Sequence, residues 1–206
     1  MLNATYTGSQ RRIGITGGIA SGKTSVTKYL KDVKNLPVID ADNIAKELLE
    51  TNQTIINQIF SRYGGKVIYK NSSEQIILNK KIIRDIIFSE KDERLWLESL
   101  MHPIIINNIE KELEISFKNK QETVIMEIPL LFECKLEYLC SEIWVVNCSF
   151  NEQIDRLIER EKISREKAVN MIRTQLHLDQ KVKKGDIVIN NSGRKETLIN
   201  KIEENL

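Results

Sequence analysis

The chain has 206 residues, 41% hydrophobic and 29% charged, the composition of an ordinary globular protein able to bury a core. A formal charge of +2, with both signs mixed and no basic or acidic block, argues against nucleic-acid and anionic-membrane partners. No apolar run approaches the roughly 18 residues of a membrane helix, and residues 1–10 lack a signal-peptide core. Cys134, Cys140 and Cys148 are odd in number and lack metal-ligand spacing, so they read as reduced thiols and a cytoplasmic location is expected.

Arg12 to Thr16 reads as a buried strand, and Thr24 to Lys34 as a helix with Val26, Leu30 and Val33 on one face. Between them stands Gly17-Gly18-Ile19-Ala20-Ser21-Gly22-Lys23-Thr24, which is G-x-x-x-x-G-K-[ST], the phosphate-cradling loop. Glycine lets successive N–H groups turn inward on an anion, and the helix start adds unpaired N–H groups and a positive dipole end. Residues 17–25, through Ser25, are thus the expected nucleotide contacts. Lys23 supplies a charge for the terminal phosphates, and the Thr24 hydroxyl a ligand for magnesium.

Pro37 to Asp42 is a second strand candidate ending in two acids, Asp40 and Asp42. If the strand ran through Ala41, both carboxylates would share a face. Such acids can take a proton from an attacking hydroxyl or help hold magnesium; they can equally cap the following helix. Helical patterns follow around Ile44, Leu48 and Leu49 and over 52–63, closed by a Tyr63-Gly64-Gly65 turn. Residues 66–78 are ambiguous around an Asn71-Ser72-Ser73 turn. Helices are expected over 79–88 and 90–101, with Pro103 in the first turn of another helix from Ile104 to Phe117.

Thr123 to Ile128, Glu142 to Asn147 and Asp186 to Asn190 are β-branched, apolar strands. Such strands, separated by helices, indicate a parallel sheet covered on both faces. Glu127 ends one of them, where phosphate-loop enzymes often place a second magnesium partner. Ser149 to Glu152 has capping-box spacing and opens a helix to about Lys162; Ser164 opens a longer one to about Lys183. Arg156 and Arg160 lie four apart, on one helix face, as a phosphate clamp or as a solvated face paired with Glu152 or Glu159. His102 and His177 lack partners at metal-ligand spacing. About 80 residues of helical pattern separate the second and third strands, too long for a crossover and a natural seat for a second substrate.

The run Ile13 to Thr24, Pro37-Val-Ile-Asp-Ala-Asp42, His102-Pro103, Pro129-Leu-Leu-Phe-Glu133, Gln153-x-x-Arg156-x-x-x-Arg160, Gln175 and Asp186 to Asn191 occur in an order that resembles the dephospho-coenzyme A kinases. The resemblance spans residues 12–205. It implies an α/β fold of the phosphate-loop NTPase type: a three-layer α/β/α core with a five-stranded parallel sheet, a helical acceptor-binding insertion and a helical lid. The core would be 11–42, 121–149 and 184–206, the acceptor domain 43–120 and the lid 150–183. It further implies magnesium-dependent transfer of the ATP γ-phosphoryl group to the 3′-hydroxyl of dephospho-coenzyme A.

Carried over by position, Asp42 is the catalytic base, assisted by Lys23, Arg156 and Arg160. Asn191 joins the nucleotide site. Asp40, Lys80, His102, Pro129 and Leu130 join Asp42 at the acceptor, and Thr24 and Glu127 hold the metal. Three positions depart from the pattern. Ala20 replaces a usual glycine, tolerable if its backbone angles are ordinary; Glu127 replaces aspartate; Lys80 replaces arginine and loses the planar fork. The protein is expected to act on ATP and dephospho-coenzyme A as a monomer or small homo-oligomer. The rival readings are another nucleoside or nucleotide kinase of the same fold and a GTP-dependent switch protein. The switch reading lacks N-K-x-D (the string is Asn79-Lys80-Lys81-Ile82) and the D-x-x-G after the third strand.

Overall fold

The computed structural model describes residues 6–70 and 76–206. The chain divides into two compact units, one running to Ala41 and resuming at Lys111–Leu206, the other Asp42–Glu110. In the first unit, strands β1 (Arg11–Gly17), β2 (Val38–Asp40), β5 (Thr123–Glu127), β6 (Glu142–Asn147) and β7 (Ile187–Asn190) form one sheet. Its order is β2-β5-β1-β6-β7 and every pairing is parallel.

β1 lies at the centre, and alternation along it divides the core. Ile13 and Ile15, fully buried, pack with Val26 and Leu30 of helix α1 (Lys23–Asp32) and with Leu198 and Ile202 of α9 (Lys195–Glu203). Each such side chain contributes roughly 1.5–3 kcal/mol through burial. On the opposite face Gly14 leaves no room for a side chain: a Cβ there would lie 2.5 Å from Cys140 Sγ and 2.8 Å from Leu131. Both edges of the strand are paired and both faces are covered. The residue after it therefore emerges at a fixed place.

The second unit has its own core of Ile55, Ile59, Val67, Leu78, Ile83, Leu97 and Met101. Its elements are α2 (Ala41–Thr51), α3 (Gln53–Tyr63), an antiparallel hairpin of β3 (Ile68–Lys70) and β4 (Ile76–Leu78), α4 (Lys80–Ser89) and most of α5 (Lys91–Lys118). Asn52 caps α3 by accepting from the Ile55 N–H, and Asn79 caps α4 by accepting from Ile82. No helix among the described residues is long and apolar enough to cross a membrane.

Three sequence expectations change. Pro103 does not start a helix; it lies inside the 28-residue α5. A proline there forfeits one backbone bond, but the helix runs on through it, with Leu97 and Met101 buried before it and Ile109 and Leu113 buried after it. The single helix expected from Ser164 is two, α7 (Arg165–Ile172) and α8 (Leu178–Lys184). Between them the N–H groups of Thr174 and Gln175 tighten onto the carbonyls of Met171 and Ile172, and the Leu176 N–H goes instead to the Glu133 carboxylate at 2.9 Å. Finally, β2 stops at Asp40 and α2 begins at Ala41, so the two acids do not alternate along one strand. The ambiguous stretch 66–78 holds the β3–β4 hairpin, while the turn expected at 71–73 falls outside the described residues.

Candidate active site

The phosphate loop joins the head of β1 to α1, and its glycines are needed for two reasons. Gly17 (φ +152°) and Gly22 (φ +96°) hold angles that side chains rarely adopt. A Cβ at Gly22 would also sit 1.9 Å from Asn191 Nδ2. Gly22 caps α1 without a side-chain bond, and no acid stands in the first turn. The helix start thus presents uncompensated N–H groups to an anion. Lys23 is buried, and its ammonium donates to the Gly18 carbonyl at 3.0 Å, folded over the loop. The buried Ser21 hydroxyl finds no partner among the described residues, which suits a donor to phosphate oxygen.

Ala20 does not have ordinary angles. Its φ of +56° is left-handed, so its methyl carries a strain of about 1 kcal/mol. Ala20→Gly is expected to raise the thermal midpoint by up to a few degrees, the gain being trimmed by glycine's greater freedom when unfolded. A lower midpoint in a melting experiment would show that the loop prefers the methyl.

Beside the loop, β5 delivers Glu127. Its carboxylate accepts from Thr24 Oγ1 at 3.2 Å and from Thr27 Oγ1 at 2.5 Å. Burial pushes the Glu127 carboxyl up from its ordinary range, and the charge of Asp40 adds to this; the Thr27 hydroxyl and Lys23 oppose it. Asp40 is in register with Glu127 on the neighbouring strand, so two acids end side by side. Hard oxygen donors from Thr24 and Glu127 fit a magnesium ion, which takes one or two protein ligands and fills its octahedron with phosphates and water. Thr27, one turn after Thr24, escaped the sequence reading because a threonine at that spacing carries no distinctive signal.

Helix α6 (Phe150–Glu161) begins with the expected capping box, Ser149 and Glu152 exchanging bonds. It presents Arg156 to the loop: one guanidinium nitrogen donates to the Asn191 carbonyl at 2.8 Å, the other to that of Ser21 at 3.4 Å. Glu152 stays ionised beside Arg156 because bonds from Ser192 and Ser149 hold its carboxyl down to about 2. Asn191 Nδ2 reaches the same Ser21 carbonyl at 2.8 Å. Arg160 does not join them. It is exposed and engages Glu161 at 2.9 Å.

Pro129 is buried; its carbonyl accepts from Thr16 Oγ1 at 3.1 Å and from Lys181 Nζ at 2.7 Å, and Leu130 beside it is half-buried. A cavity of about 510 Å³ opens beside Gly18, bounded by Phe150, Gln153, Arg173, Gln175 and His177.

Asp42, Lys80 and His102 belong to the second unit. Asp42 is exposed in the first turn of α2, and His102 is half-buried on α5. Lys80 pairs with Glu50 at the edge of a cavity of about 860 Å³ lined by Leu49, Ile56, Tyr69 and Ile77.

A phosphate loop leading from the central strand, with an acid at the end of the adjacent strand bonded to its threonine, makes this a phosphate-loop nucleotide-binding protein. Comparison with known proteins narrows the class. The family model for dephospho-CoA kinase matches residues 11–196. A dephospho-CoA kinase of Prochlorococcus marinus is 47% identical over 190 residues, 92% of this chain and 89% of the relative. Among solved structures, a Thermus thermophilus protein superposes with a TM-score of 0.75 at 26% identity, covering 96% of each chain. The dephospho-CoA kinase of Campylobacter jejuni does so with a TM-score of 0.64 at 26% identity and 94% coverage of each. The chain belongs to the dephospho-CoA kinase family, the enzymes of the final step of coenzyme A synthesis.

Proposed function

We propose that this protein moves the γ-phosphoryl group of ATP to the 3′-hydroxyl of the dephospho-CoA ribose, with Mg²⁺ held at Thr24 and Glu127. The observation that carries the reading is the cluster of Lys23, Thr24 and Glu127 at the uncapped start of α1. In this chemistry the bond from the γ-phosphorus to the ribose oxygen forms as its bond to the leaving ADP oxygen breaks. The protein's part is positioning and charge compensation. The loop amides and Lys23 hold the phosphates, and Arg156 adds a planar cation at the loop's far end. Asp42 takes the hydroxyl proton. When bound, Mg²⁺ neutralises charge on the phosphate oxygens.

Residues 43–120 bind the acceptor in this reading, and the second unit holds a cavity that could seat part of it, lined mostly by apolar side chains with the Lys80–Glu50 pair at its edge. Residues 150–183 close as a lid over ATP and exclude water. ADP release measured against dephospho-CoA, adenosine, AMP and shikimate tests the assignment. Robust turnover is expected with dephospho-CoA alone, and faster turnover with another acceptor would sink it.

The metal assignment has its own check. Glu127→Gln keeps the shape and one acceptor oxygen for the threonine hydroxyls but removes the anion and the second acceptor. The half-saturating Mg²⁺ concentration is expected to rise about 10–100-fold, the usual penalty for altering a metal's supporting acid. An unchanged magnesium titration would leave Glu127 as a strand-end residue only.

A further inference from the structure

We propose that Gln153 and Gln175 form a two-sided clip on Ile19 that holds the first half of the phosphate loop in shape before nucleotide arrives, and that Glu133 and Lys181 seat its second jaw. The inference rests on the phosphate-loop reading above and concerns the parts of 150–183 that already hold the loop, so any closure of the lid would pivot on them rather than carry them. Gln153 Nε2 donates to the Ile19 carbonyl at 2.7 Å, and the Ile19 N–H donates to Gln175 Oε1 at 3.0 Å. With both polar groups of one residue held, neither flanking peptide can turn without losing a bond.

Gly18 fits this account. Its φ lies outside the left-handed region, yet a Cβ there would sit 2.2 Å from Gln153 Nε2. Glycine is needed at this position so that the buried Gln153 can come close. The residue after Ile19 is Ala20, held at φ +56°, so the clip sits where the loop has a strained conformation to keep.

Gln175 lies in the irregular turn between α7 and α8, and a second set of bonds fixes that turn. Glu133 Oε1 accepts from the Leu176 N–H at 2.9 Å and from Lys181 Nζ at 2.8 Å. Lys181 is fully buried and also donates to the Pro129 carbonyl at 2.7 Å. Burial pushes its ammonium below its ordinary range, with Glu133 opposing. A buried ion pair is a poor source of stability but gives a defined geometry. Here it ties the turn that carries Gln175 to the end of β5. The four side chains are positioning residues for the phosphate loop.

The test is amide hydrogen exchange of Ile19 in the nucleotide-free protein, read by NMR, with ADP affinity by calorimetry and the thermal midpoint as a check on folding. Neither measurement needs an acceptor, so the proposal can fail while the kinase assignment stands, and the reverse. Gln175→Ala is expected to speed Ile19 exchange about fivefold or more and to weaken ADP binding by a similar factor, the worth of one hydrogen bond. Gln175→Glu keeps the acceptor oxygen and should keep Ile19 protected. Glu133→Gln should speed Ile19 exchange too, and Glu133→Gln/Gln175→Ala should be no faster than Gln175→Ala alone, because the two act in series. Unchanged Ile19 exchange or unchanged ADP affinity in Gln175→Ala would overturn the clip. Additive effects in the double variant would overturn the role of Glu133 and Lys181.

Discussion

Lys23→Met is expected to lower phosphoryl transfer about 10²–10³-fold, the loss typical of removing one fixed electrostatic donor from a reacting oxygen. Methionine keeps the buried stem, so the packing around residue 23 survives and the ammonium alone is deleted. In the free protein that ammonium donates to the Gly18 carbonyl at 3.0 Å. Losing the bond costs about 1 kcal/mol, too little to unfold a domain. Steady-state turnover at saturating ATP and dephospho-CoA, with the thermal midpoint of the same sample, provides the measurement. Turnover near wild type would mean that Lys23 does not face the transferring phosphate. The loop would then be no more than a glycine-rich turn.

Much of this site was legible because its chemistry is local in sequence. A phosphate loop needs small residues and a lysine at fixed spacing, and one strand and one helix suffice to place them. The sheet was legible for a related reason: strands buried on both faces must be apolar throughout, as Val124 to Met126 and Ile143 to Val146 are. What stayed hidden depends on contacts between distant segments.

Nothing in Lys181, Lys183 and Lys184 distinguishes the fully buried lysine from its neighbours. Its burial is set by Glu133, 48 positions earlier. The break between α7 and α8 has the same origin, since Glu133 takes the Leu176 N–H that a continuous helix would have used. Periodicity placed Arg156 and Arg160 on one face, but only Asn191 and Ser21 show which of them is drawn to the loop. Pro103 misled in the opposite direction. A local start signal lost to burial of apolar residues on both sides of it, Leu97 and Met101 before and Ile109 and Leu113 after.

Asp42→Asn is expected to lower turnover about 10²–10⁴-fold, the usual worth of general-base help, while ATP binding stays within about twofold because the phosphate loop is untouched. A ribose hydroxyl is a poor nucleophile at neutral pH and needs a carboxylate to receive its proton as the new P–O bond forms. Two acids compete for that role, and the structure distinguishes their settings. Asp40 closes β2 in register with Glu127, and its charge helps to push the Glu127 carboxyl up. Its setting is that of an acid beside Glu127, the residue proposed to hold magnesium. Asp42 lies beyond the strand, exposed in the first turn of α2. An acid in the first turn of a helix contributes about 0.3–1 kcal/mol through the helix dipole, and the thermal midpoint of the variant measures what else Asp42 holds in place. Asp40→Asn should instead raise the magnesium requirement and lower turnover less. The comparison needs turnover, ATP affinity and a magnesium titration on both variants. If Asp40→Asn abolished transfer while Asp42→Asn left it near wild type, the base would be Asp40, and the proton would leave toward the magnesium side of the site.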